Sequence, residues 1–279
     1  MVQKTVLITG SSEGGIGDAL AKEFHKKGLR VFATARNLTK VQHLKNMGLE
    51  VLKLDVVDDA SIKEAVEEVK TRTGGKLDFL VNNSGRGYSL PLLDTTREGA
   101  RDLFDLNVFA LIAVTQAFAP LLIASKGTII NIGSIAGVSP MPWQGYYNAT
   151  KAAVAALSNN LRIELSPFGV KVINVITGGV KTKFFDNLPT QHLPSNSIYA
   201  PASEEIEFVL NGSFVKSAMD VDRYAKSVVA NALKSKPKVH HWEGSDAWTI
   251  WAVSAFGWST IWVSRLNCRV CSIADLYRT

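Results

Sequence analysis

The sequence contains little cysteine. Its two cysteines, Cys268 and Cys271, form a single C-x-x-C pair near the C-terminus. A zinc site needs a second pair of ligands, and the sequence offers none nearby. A redox pair stays open as an alternative, but the simpler interpretation is two thiols in a reducing compartment. We therefore expect an intracellular protein without a metal site.

Runs of charge, internal repeats and low-complexity tracts are lacking as well. The formal net charge is +6, yet no run of Lys or Arg exceeds two residues. Such a scattered basic surface argues against a nucleic-acid-binding protein. We expect no signal peptide, because residues 4–8 lead directly into a glycine-rich turn. The length of 279 residues and the 46% hydrophobic content fit one sizeable domain.

Short apolar segments alternate with amphipathic segments along the chain. We predict strands at 6–8, 29–34, 50–54, 77–81, 127–132, 171–175 and 238–241, and helices at 15–28, 38–47, 58–73, 96–125, 144–166 and 217–235. The helix at 96–125 should be interrupted near Pro120. This alternation predicts the α/β class, with right-handed β-α-β units. We expect one doubly wound, Rossmann-type domain over 1–244, with a parallel seven-stranded sheet and an apolar extension over 245–279.

A glycine-rich turn follows the first predicted strand and opens the first predicted helix. It contains Gly10, Gly14, Gly15 and Gly17. Without side chains the backbone can approach a pyrophosphate closely, and a helix N-terminus supplies free N–H groups and a positive end. We therefore predict that this turn binds a dinucleotide, through Gly10, Ser11, Ser12, Gly15, Ile16 and Gly17.

No carboxylate stands at the end of the second predicted strand, where one would bind a ribose 2′-hydroxyl. The chain has Arg36 there, which can pair bidentately with a 2′-phosphate, and Thr34 can add a hydroxyl. This pattern favours NADPH over NADH, unless Arg36 is merely solvated. Asp55 ends the third strand and can accept from an adenine amino group. Asn83 follows the fourth strand, where an amide can bridge backbone groups.

Tyr147 and Lys151 lie four residues apart on a predicted helix and project from one face. A phenol titrates near pH 10, and a neighbouring ammonium stabilises its phenolate. Ser134 can hold a substrate oxygen beside the Tyr147 hydroxyl. The adjacent Tyr146 has no lysine at the same spacing, so Tyr147 is the predicted proton donor. Asn107 is a further candidate on spacing alone.

These motifs together resemble the short-chain dehydrogenase/reductase family over residues 4–240. The resemblance implies that Asn107 joins a Tyr–Lys–water proton relay and that Lys151 also binds the nicotinamide ribose. It further implies that Val180 and Thr182 hold the nicotinamide carboxamide. The chain departs from the family pattern in three places. These are an extra residue at or beside Glu13, Ser84 in place of Ala, and Thr177-Gly178-Gly179 where Pro-Gly is usual.

Within that family, residues 176–180 and 238–244 are similar to NADPH-dependent 1-acyldihydroxyacetone-phosphate reductases. The expected function is hydride transfer from NADPH to a ketone of a lipophilic substrate. The candidate substrate is 1-acyldihydroxyacetone phosphate. The alternatives are a ketoreductase of a polyketide-like biosynthetic pathway and a non-enzymatic NADP(H)-binding sensor. The substrate lid is expected at about 183–217, with Phe184, Phe185, Leu188, Leu193, Ile198, Tyr199, Phe208 and Phe214.

The C-terminal extension is rich in tryptophan. Five of the six Trp residues fall between Trp242 and Trp262, and residues 247–264 carry no charge. We expect this segment to lie in a membrane interface, such as the endoplasmic reticulum or a lipid droplet, or to pack over the cleft or a partner subunit. Spanning the bilayer is the third alternative. The family resemblance also implies a homo-oligomer.

Overall fold

Seven parallel strands form one sheet in the structure, a computed structural model that describes residues 3–184, 186, 192–210, 212 and 218–257. The strands are β1 (Thr5–Ile8), β2 (Arg30–Ala35), β3 (Glu50–Lys53), β4 (Phe79–Asn82), β5 (Thr128–Ile132), β6 (Lys171–Thr177) and β7 (His240–Glu243). Their order across the sheet is β3-β2-β1-β4-β5-β6-β7. The predicted fold class, a doubly wound parallel seven-stranded sheet, is confirmed.

Helices cover both faces of this sheet. They are α1 (Ile16–Lys26), α2 (Gln42–Asn46), α3 (Asp59–Thr73), α4 (Arg97–Phe104), α5 (Ala110–Ser125), α6 (Gly145–Leu165), α7 (Ser203–Leu210), α8 (Val221–Ala232) and α9 (Ala247–Phe256). Several begin later than predicted because a polar residue caps them. Asp220, for example, accepts from the backbone N–H groups of Asp222 and Arg223, so α8 starts at Val221.

Alternate residues of each strand face opposite layers of the core. Val6 and Ile8 of β1 contribute to the cluster beneath α1 and α8, whereas Leu7 contributes to the cluster beneath α3 and α5. All three side chains are fully buried. This burial on both faces explains why the strands appear in the sequence as continuous apolar runs.

The long apolar helical segment contains a break, but not at the predicted position. Pro120 lies inside α5, and the helix continues past it to Ser125. The neighbouring Phe118 and Leu121 are buried against the sheet, and that packing holds the helix through the lost hydrogen bond. The irregularity is instead a π-helical turn at Asp105–Phe109, between α4 and α5. The prediction of a break near Pro120 is therefore wrong.

One helical run among the described residues, Arg97–Ser125, is long and apolar enough to cross a membrane by length and composition. Its buried face belongs to the cluster that packs under the sheet. A core helix passes the same test, and the packing accounts for its apolar character.

The last strand lies two residues beyond its predicted position. His240–Glu243 pairs with β6, from Asn174 opposite His240 to Thr177 opposite Glu243. The chain then pairs once more, since Ser245 and Gly179 exchange two backbone hydrogen bonds. The expected boundary between 244 and 245 therefore falls within a paired segment. The predictions for Trp258, Trp262, Cys268 and Cys271 lie outside the described residues.

Candidate active site

A cavity of about 540 Å³ opens at the carboxyl ends of the strands. Its size lies in the range of small-molecule and cofactor sites, and its position is where α/β sheets bind ligands. The predicted site residues that line it are Gly10, Ser12, Gly15, Ile16, Arg36, Asn83, Ser134, Tyr147, Lys151, Val180 and Thr182. The fold thus brings together segments from the first, second, fourth, fifth and sixth strands.

The glycines of the turn after β1 permit contacts that a side chain would block. Gly10 has φ +70°, and a Cβ there would lie 2.9 Å from Ser84 Oγ. A Cβ on Gly17 would lie 2.5 Å from the backbone oxygen of Gly10. Helix α1 then begins at Ile16, and the side chains leave its N-terminal N–H groups uncapped. An uncapped N-terminus beside a glycine turn fits a pyrophosphate, so the residues present fit a dinucleotide.

The extra residue of this turn is accommodated at Gly14, which has φ +77°. The Gly14 N–H donates to Asp18 Oδ2 at 3.0 Å. The buried Asp18 carboxylate also contacts Lys22 at 2.9 Å and His43 at 2.7 Å. Sequence reasoning identified the extra residue but not Asp18, whose partners come from two different helices.

Asn83 fastens the glycine turn to the end of β4. Its Nδ2 donates to the backbone oxygens of Thr9 and Gly10, both at 2.9 Å. In return, Thr9 Oγ1 accepts from the N–H groups of Asn83 at 3.0 Å and Ser84 at 2.9 Å. The prediction that this amide bridges backbone groups matches these contacts.

Two cations lie at the end of the cavity next to β2. Arg36 follows the strand, lines the cavity and is exposed, and its contact with a 2′-phosphate stays a prediction. Lys40 lines the same region and is exposed as well, although it was not predicted. The Lys40 carbonyl accepts from the Glu13 N–H at 3.1 Å, so the two turns are held together.

Five predicted residues do not line the cavity. They are the cofactor candidates Ser11, Gly17, Thr34 and Asp55 and the catalytic candidate Asn107. The Ser11 and Thr34 hydroxyls are buried and donate to Ile8 O at 3.2 and 3.0 Å. The expectation of direct contacts from these hydroxyls is corrected accordingly, since Thr34 joins β2 to β1 and Ser11 bonds the turn back to the end of β1. Asp55 Oδ1 accepts from the Val57 N–H at 3.3 Å, beside the cavity wall.

Ser134, Tyr147 and Lys151 meet between β5 and α6. Ser134 follows β5, and its Oγ accepts from the Ala136 N–H at 3.1 Å. Both Ser134 and Tyr147 line the cavity, and the Ser134 side chain acts to lower the pKa of the Tyr147 hydroxyl. Lys151 Nζ lies 5.8 Å from the centre of the Tyr147 ring and donates to Ile132 O at 2.9 Å. The three side chains predicted from spacing alone therefore face one cavity.

The titration of these groups differs from the simple expectation. Burial raises the pKa of Tyr147, and the hydrogen bond with Ser134 opposes that effect. Burial lowers the pKa of Lys151 to about 8. Desolvation therefore dominates, and the expected lowering of the Tyr147 pKa by the Lys151 ammonium is not found. The phenol holds its proton at neutral pH, which is the form a proton donor needs.

Asn107 lies behind this group, in the π-helical turn, and is buried. Its Nδ2 donates to Arg86 O at 2.9 Å and to Thr150 Oγ1 at 3.2 Å. Its Oδ1 accepts from the Arg86 N–H at 2.9 Å. The side chain thereby holds the loop after β4 against α6, and the predicted part in a proton relay stays a prediction.

The loop after β6 forms the wall opposite β4. Val180 and Thr182 both line the cavity, as expected. Val180 forms a bridge with Met219, and Thr182 Oγ1 accepts from the Phe184 N–H at 3.3 Å. The backbone N–H of Lys183 donates to Gly14 O at 3.1 Å. This wall is therefore attached to the extra residue of the glycine turn.

Three further cavity residues were missed by sequence reasoning: Lys40, Arg86 and Gln144. Arg86 directly follows the Asn-Asn-Ser-Gly segment, and its guanidinium forms a long ion pair with Asp102 at 3.9 Å. Gln144 is buried and donates to Ser89 Oγ at 3.2 Å. The available signal was closeness in sequence to predicted residues, since Lys40 lies four residues after Arg36, Arg86 directly follows Gly85, and Gln144 lies three residues before Tyr147.

Two described residues of the expected lid line the cavity, Lys183 and Phe184. The Phe184 ring centre lies 6.4 Å from that of Tyr147. Leu193 and Tyr199 pack instead with Trp143 around the buried Ile206. Ile198 and Phe208 are exposed. Phe185, Leu188 and Phe214 lie outside the described residues. The described apolar lid residues are thus divided between the cavity, the packing around Ile206 and the surface.

Comparison with known proteins agrees with this geometry. The short chain dehydrogenase family profile matches residues 4–193. The short-chain dehydrogenase ptmH of Penicillium ochrochloron is 42% identical over 255 residues, covering 91% of this chain and 93% of that protein. An NADPH-dependent 1-acyldihydroxyacetone phosphate reductase of Schizosaccharomyces pombe is 45% identical over 203 residues, covering 71% of this chain and 69% of that protein.

The fold agrees with a solved structure as well. A short-chain dehydrogenase from Streptomyces avermitilis superimposes with a TM-score of 0.80 at 28% identity, covering 99% of this chain and 98% of that one. Both the family profile and the ptmH relative extend over most of the present sequence. The chain belongs to the short-chain dehydrogenase family and is an NAD(P)-dependent oxidoreductase.

Proposed function

We propose that this enzyme transfers a hydride from NADPH to the ketone of a lipophilic substrate and releases a secondary alcohol. The observation that carries the proposal is the meeting of Ser134, Tyr147 and Lys151 in the same cavity as the glycine turn. The turn fits a dinucleotide, and the three side chains supply proton handling beside it.

The roles of the side chains follow from their chemistry. When bound, NADPH supplies the hydride that reduces the carbonyl carbon. Ser134 Oγ and the Tyr147 hydroxyl donate hydrogen bonds to the substrate oxygen and fix its position. The Tyr147 phenol then gives its proton to the oxygen, which becomes the alcohol. Lys151 lies close enough to stabilise the resulting phenolate until solvent returns a proton.

The proposed cofactor is NADP(H) because Arg36 and Lys40 place two cations where a 2′-phosphate would lie. The Schizosaccharomyces pombe relative is named as NADPH-dependent. The end of β2 carries Ala35 and Arg36, so the carboxylate that would favour NADH is lacking at that position. Gly10, Ser12, Gly15 and Ile16 would hold the pyrophosphate.

A lipophilic substrate is supported by the apolar side chains in the cavity, Leu106, Met141 and Phe184. Arg86 and Lys183 add positive charge to the same walls. A ketone that carries both an acyl chain and a phosphate would use both kinds of contact. We therefore propose 1-acyldihydroxyacetone phosphate as the first substrate to test, in line with the name of the Schizosaccharomyces pombe relative.

An NADPH-consumption screen tests the proposal. The substrates are 1-acyldihydroxyacetone phosphate, long-chain ketones and aromatic polyketide carbonyls, each with the wild type and with Tyr147→Phe. Oxidation of NADPH with the acyl phosphate supports the full proposal. Oxidation with the aromatic carbonyls alone identifies a ketoreductase of small-molecule biosynthesis. Binding of NADPH without turnover on any carbonyl would identify a sensor and refute the enzymatic proposal.

A place at a lipid surface is part of the proposal. Helix α9 exposes Trp248 and Phe256 (73% and 84%), and Trp251 lies between them in ring contact with both. The helix Ala247–Phe256 contains no charged residue. Tryptophan prefers the membrane interface, so this helix suits a monotopic attachment to an intracellular membrane or a lipid droplet.

Self-association is proposed from exposed apolar side chains. Phe109, at the end of the π-helical turn, and Ile163, in α6, are exposed large apolar side chains (60% and 73%). A second copy of the chain would cover them. Sedimentation velocity with and without detergent tests self-association. A homo-oligomer persists in detergent, whereas copies associated through α9 dissociate.

A further inference from the structure

The loop after β6 lacks the proline that is usual at its start. Thr177, Gly178 and Gly179 stand there instead. A proline fixes its own φ, whereas paired glycines leave the backbone free. The loop nevertheless forms a wall of the cavity through Thr177 to Val180. Another contact must therefore hold its first residue.

That contact is a buried pair of hydroxyl groups. Thr177 Oγ1 and the Tyr224 hydroxyl are hydrogen-bonded at 2.7 Å. Tyr224 is completely buried in α8, and Thr177 is 7% exposed. The Thr177 hydroxyl also donates to Val175 O at 3.4 Å, which leaves the Tyr224 hydroxyl as the donor to Thr177.

The Tyr224 hydroxyl keeps its proton and hence its role as donor. Burial and the nearby Glu243 carboxylate raise the pKa of Tyr224, and the bond with Thr177 offsets only part of that effect. The ring lies within the cluster that α1 and α8 form under the sheet. The position of the Tyr224 hydroxyl is therefore set by packing of its ring in the core and not by the loop after β6.

The backbone beyond Thr177 has no room to take up a displacement. A Cβ on Gly178 would lie 2.0 Å from Ser245 O. The Gly178 N–H donates to Glu243 O at 2.8 Å, and the Gly179 N–H donates to Ser245 O at 2.9 Å. A shift of Thr177 would thus strain or break the hydrogen bonds of Gly178 and Gly179. It would also move the cavity wall that these two residues form.

We propose that the Tyr224 hydroxyl is a positioning group for the loop after β6, acting through Thr177 in place of the missing proline. Tyr224 itself does not line the cavity. The inference rests on the proposed function, because it assumes that the bound nicotinamide meets this loop. It predicts that the Tyr224 hydroxyl sets cofactor affinity without contacting the cofactor.

The test compares NADPH binding, by fluorescence titration of the full chain, in Tyr224→Phe, Thr177→Val and the double variant. Each single change should raise the Kd about threefold to tenfold, the effect of one lost hydrogen bond. The double variant should lose no more than either single variant, because both remove the same bond. Thr177→Ser keeps the hydroxyl and should bind within about twofold of the wild type.

Thr5→Val is the matched control. Thr5 is also 7% exposed and its hydroxyl donates to Asp78 at 3.1 Å, but it lies at the amino end of β1, away from the cavity. It should lower the melting temperature and leave the Kd unchanged. If Thr5→Val lost as much NADPH affinity as Tyr224→Phe and Thr177→Val, general destabilisation would explain the losses and the inference would be overturned. Additive losses in the double variant would overturn it as well.

Hydrogen–deuterium exchange of residues 178–181 in the cofactor-free chain gives an independent readout. Exchange should be faster in Tyr224→Phe and in Thr177→Val, and unchanged in Thr5→Val. If the wild type binds no NADPH, the proposed function fails, and the exchange rates alone decide the positioning role. Should Tyr224→Phe not fold, the contrast between Thr177→Val and Thr177→Ser decides it. Unaltered exchange in the folded variants would contradict the inference.

Discussion

Lys151 Nζ donates a hydrogen bond of 2.9 Å to the backbone oxygen of Ile132, the last residue of β5. This bond ties α6 to the strand that ends just before Ser134. It also keeps the ammonium in a poorly solvated position, where burial lowers the pKa of Lys151 to about 8. The lysine is thus held for function at a cost in stability, and that cost can be measured.

Lys151→Met should make the cofactor-free chain more stable at pH 7. The folded pKa of about 8 lies below the ordinary value of 10.5, so the unfolded chain binds more protons between these values. Wild-type stability therefore rises with pH across that window. The gain in stability of the variant over the wild type is largest below pH 8 and shrinks by on the order of 3 kcal/mol towards pH 10.5.

Denaturant unfolding between pH 7 and pH 10.5 measures this difference. The control is Lys45→Met, which removes an exposed lysine outside the cavity and should show no such trend. A constant difference between Lys151→Met and the wild type across the whole range would contradict the assigned burial of the ammonium.

Tyr147→Phe should abolish carbonyl reduction while leaving NADPH binding nearly intact. Loss of the proton donor lowers kcat by about 100-fold to 10,000-fold. Steady-state NADPH oxidation and fluorescence titration measure the two effects separately. Tyr146→Phe provides the control, because Tyr146 is adjacent in sequence yet does not line the cavity. Equal activity losses in the two variants would argue against the assignment.

Arg36→Leu should weaken binding of NADPH by about 10-fold to 100-fold and leave NADH binding unchanged. A charge-assisted contact to phosphate is of this size, and NADH lacks the 2′-phosphate. Lys40→Met should act in the same direction. Titration with both cofactors measures the preference, with Lys45→Met as the exposed control. Equal losses of affinity for NADPH and NADH would show that Arg36 and Lys40 do not bind the 2′-phosphate.

Replacing Trp248 and Phe256 by Ser should weaken binding to lipid vesicles by about tenfold per residue. Co-sedimentation with phosphatidylcholine vesicles measures this. Leu93→Ser is a suitable control, because Leu93 is 74% exposed but lies outside α9. Truncation after Gly244 is unsuitable, since it removes the pairing of Ser245 with Gly179. Failure of the wild type to sediment with vesicles would refute the lipid-surface proposal.

Local sequence patterns predicted the sheet and the main parts of the site. The strands are apolar runs because helices cover both faces of the sheet. The glycines of the turn after β1 occur where the backbone makes close contacts that a side chain would block. Ser134, Tyr147 and Lys151 were found because β5 and α6 fix their positions. The location of Arg36 followed from the end of β2 in the same way.

Contacts between distant segments were beyond such patterns. Asn83 holds Thr9 across more than seventy residues, and Thr177 meets Tyr224 from a different helix. Nothing local to Thr34 showed that its hydroxyl would turn towards Ile8. The shift of β7 has the same origin, because its bounds depend on pairing with β6 rather than on its own composition.

The most direct test of the account is a crystal structure of the enzyme with bound NADPH. The account predicts that the nicotinamide lies beside Tyr147 and Ser134, with space for a carbonyl at a reactive separation of about 3–3.5 Å from the ring. A nicotinamide placed outside this cavity, or no bound cofactor at saturating NADPH, would contradict it.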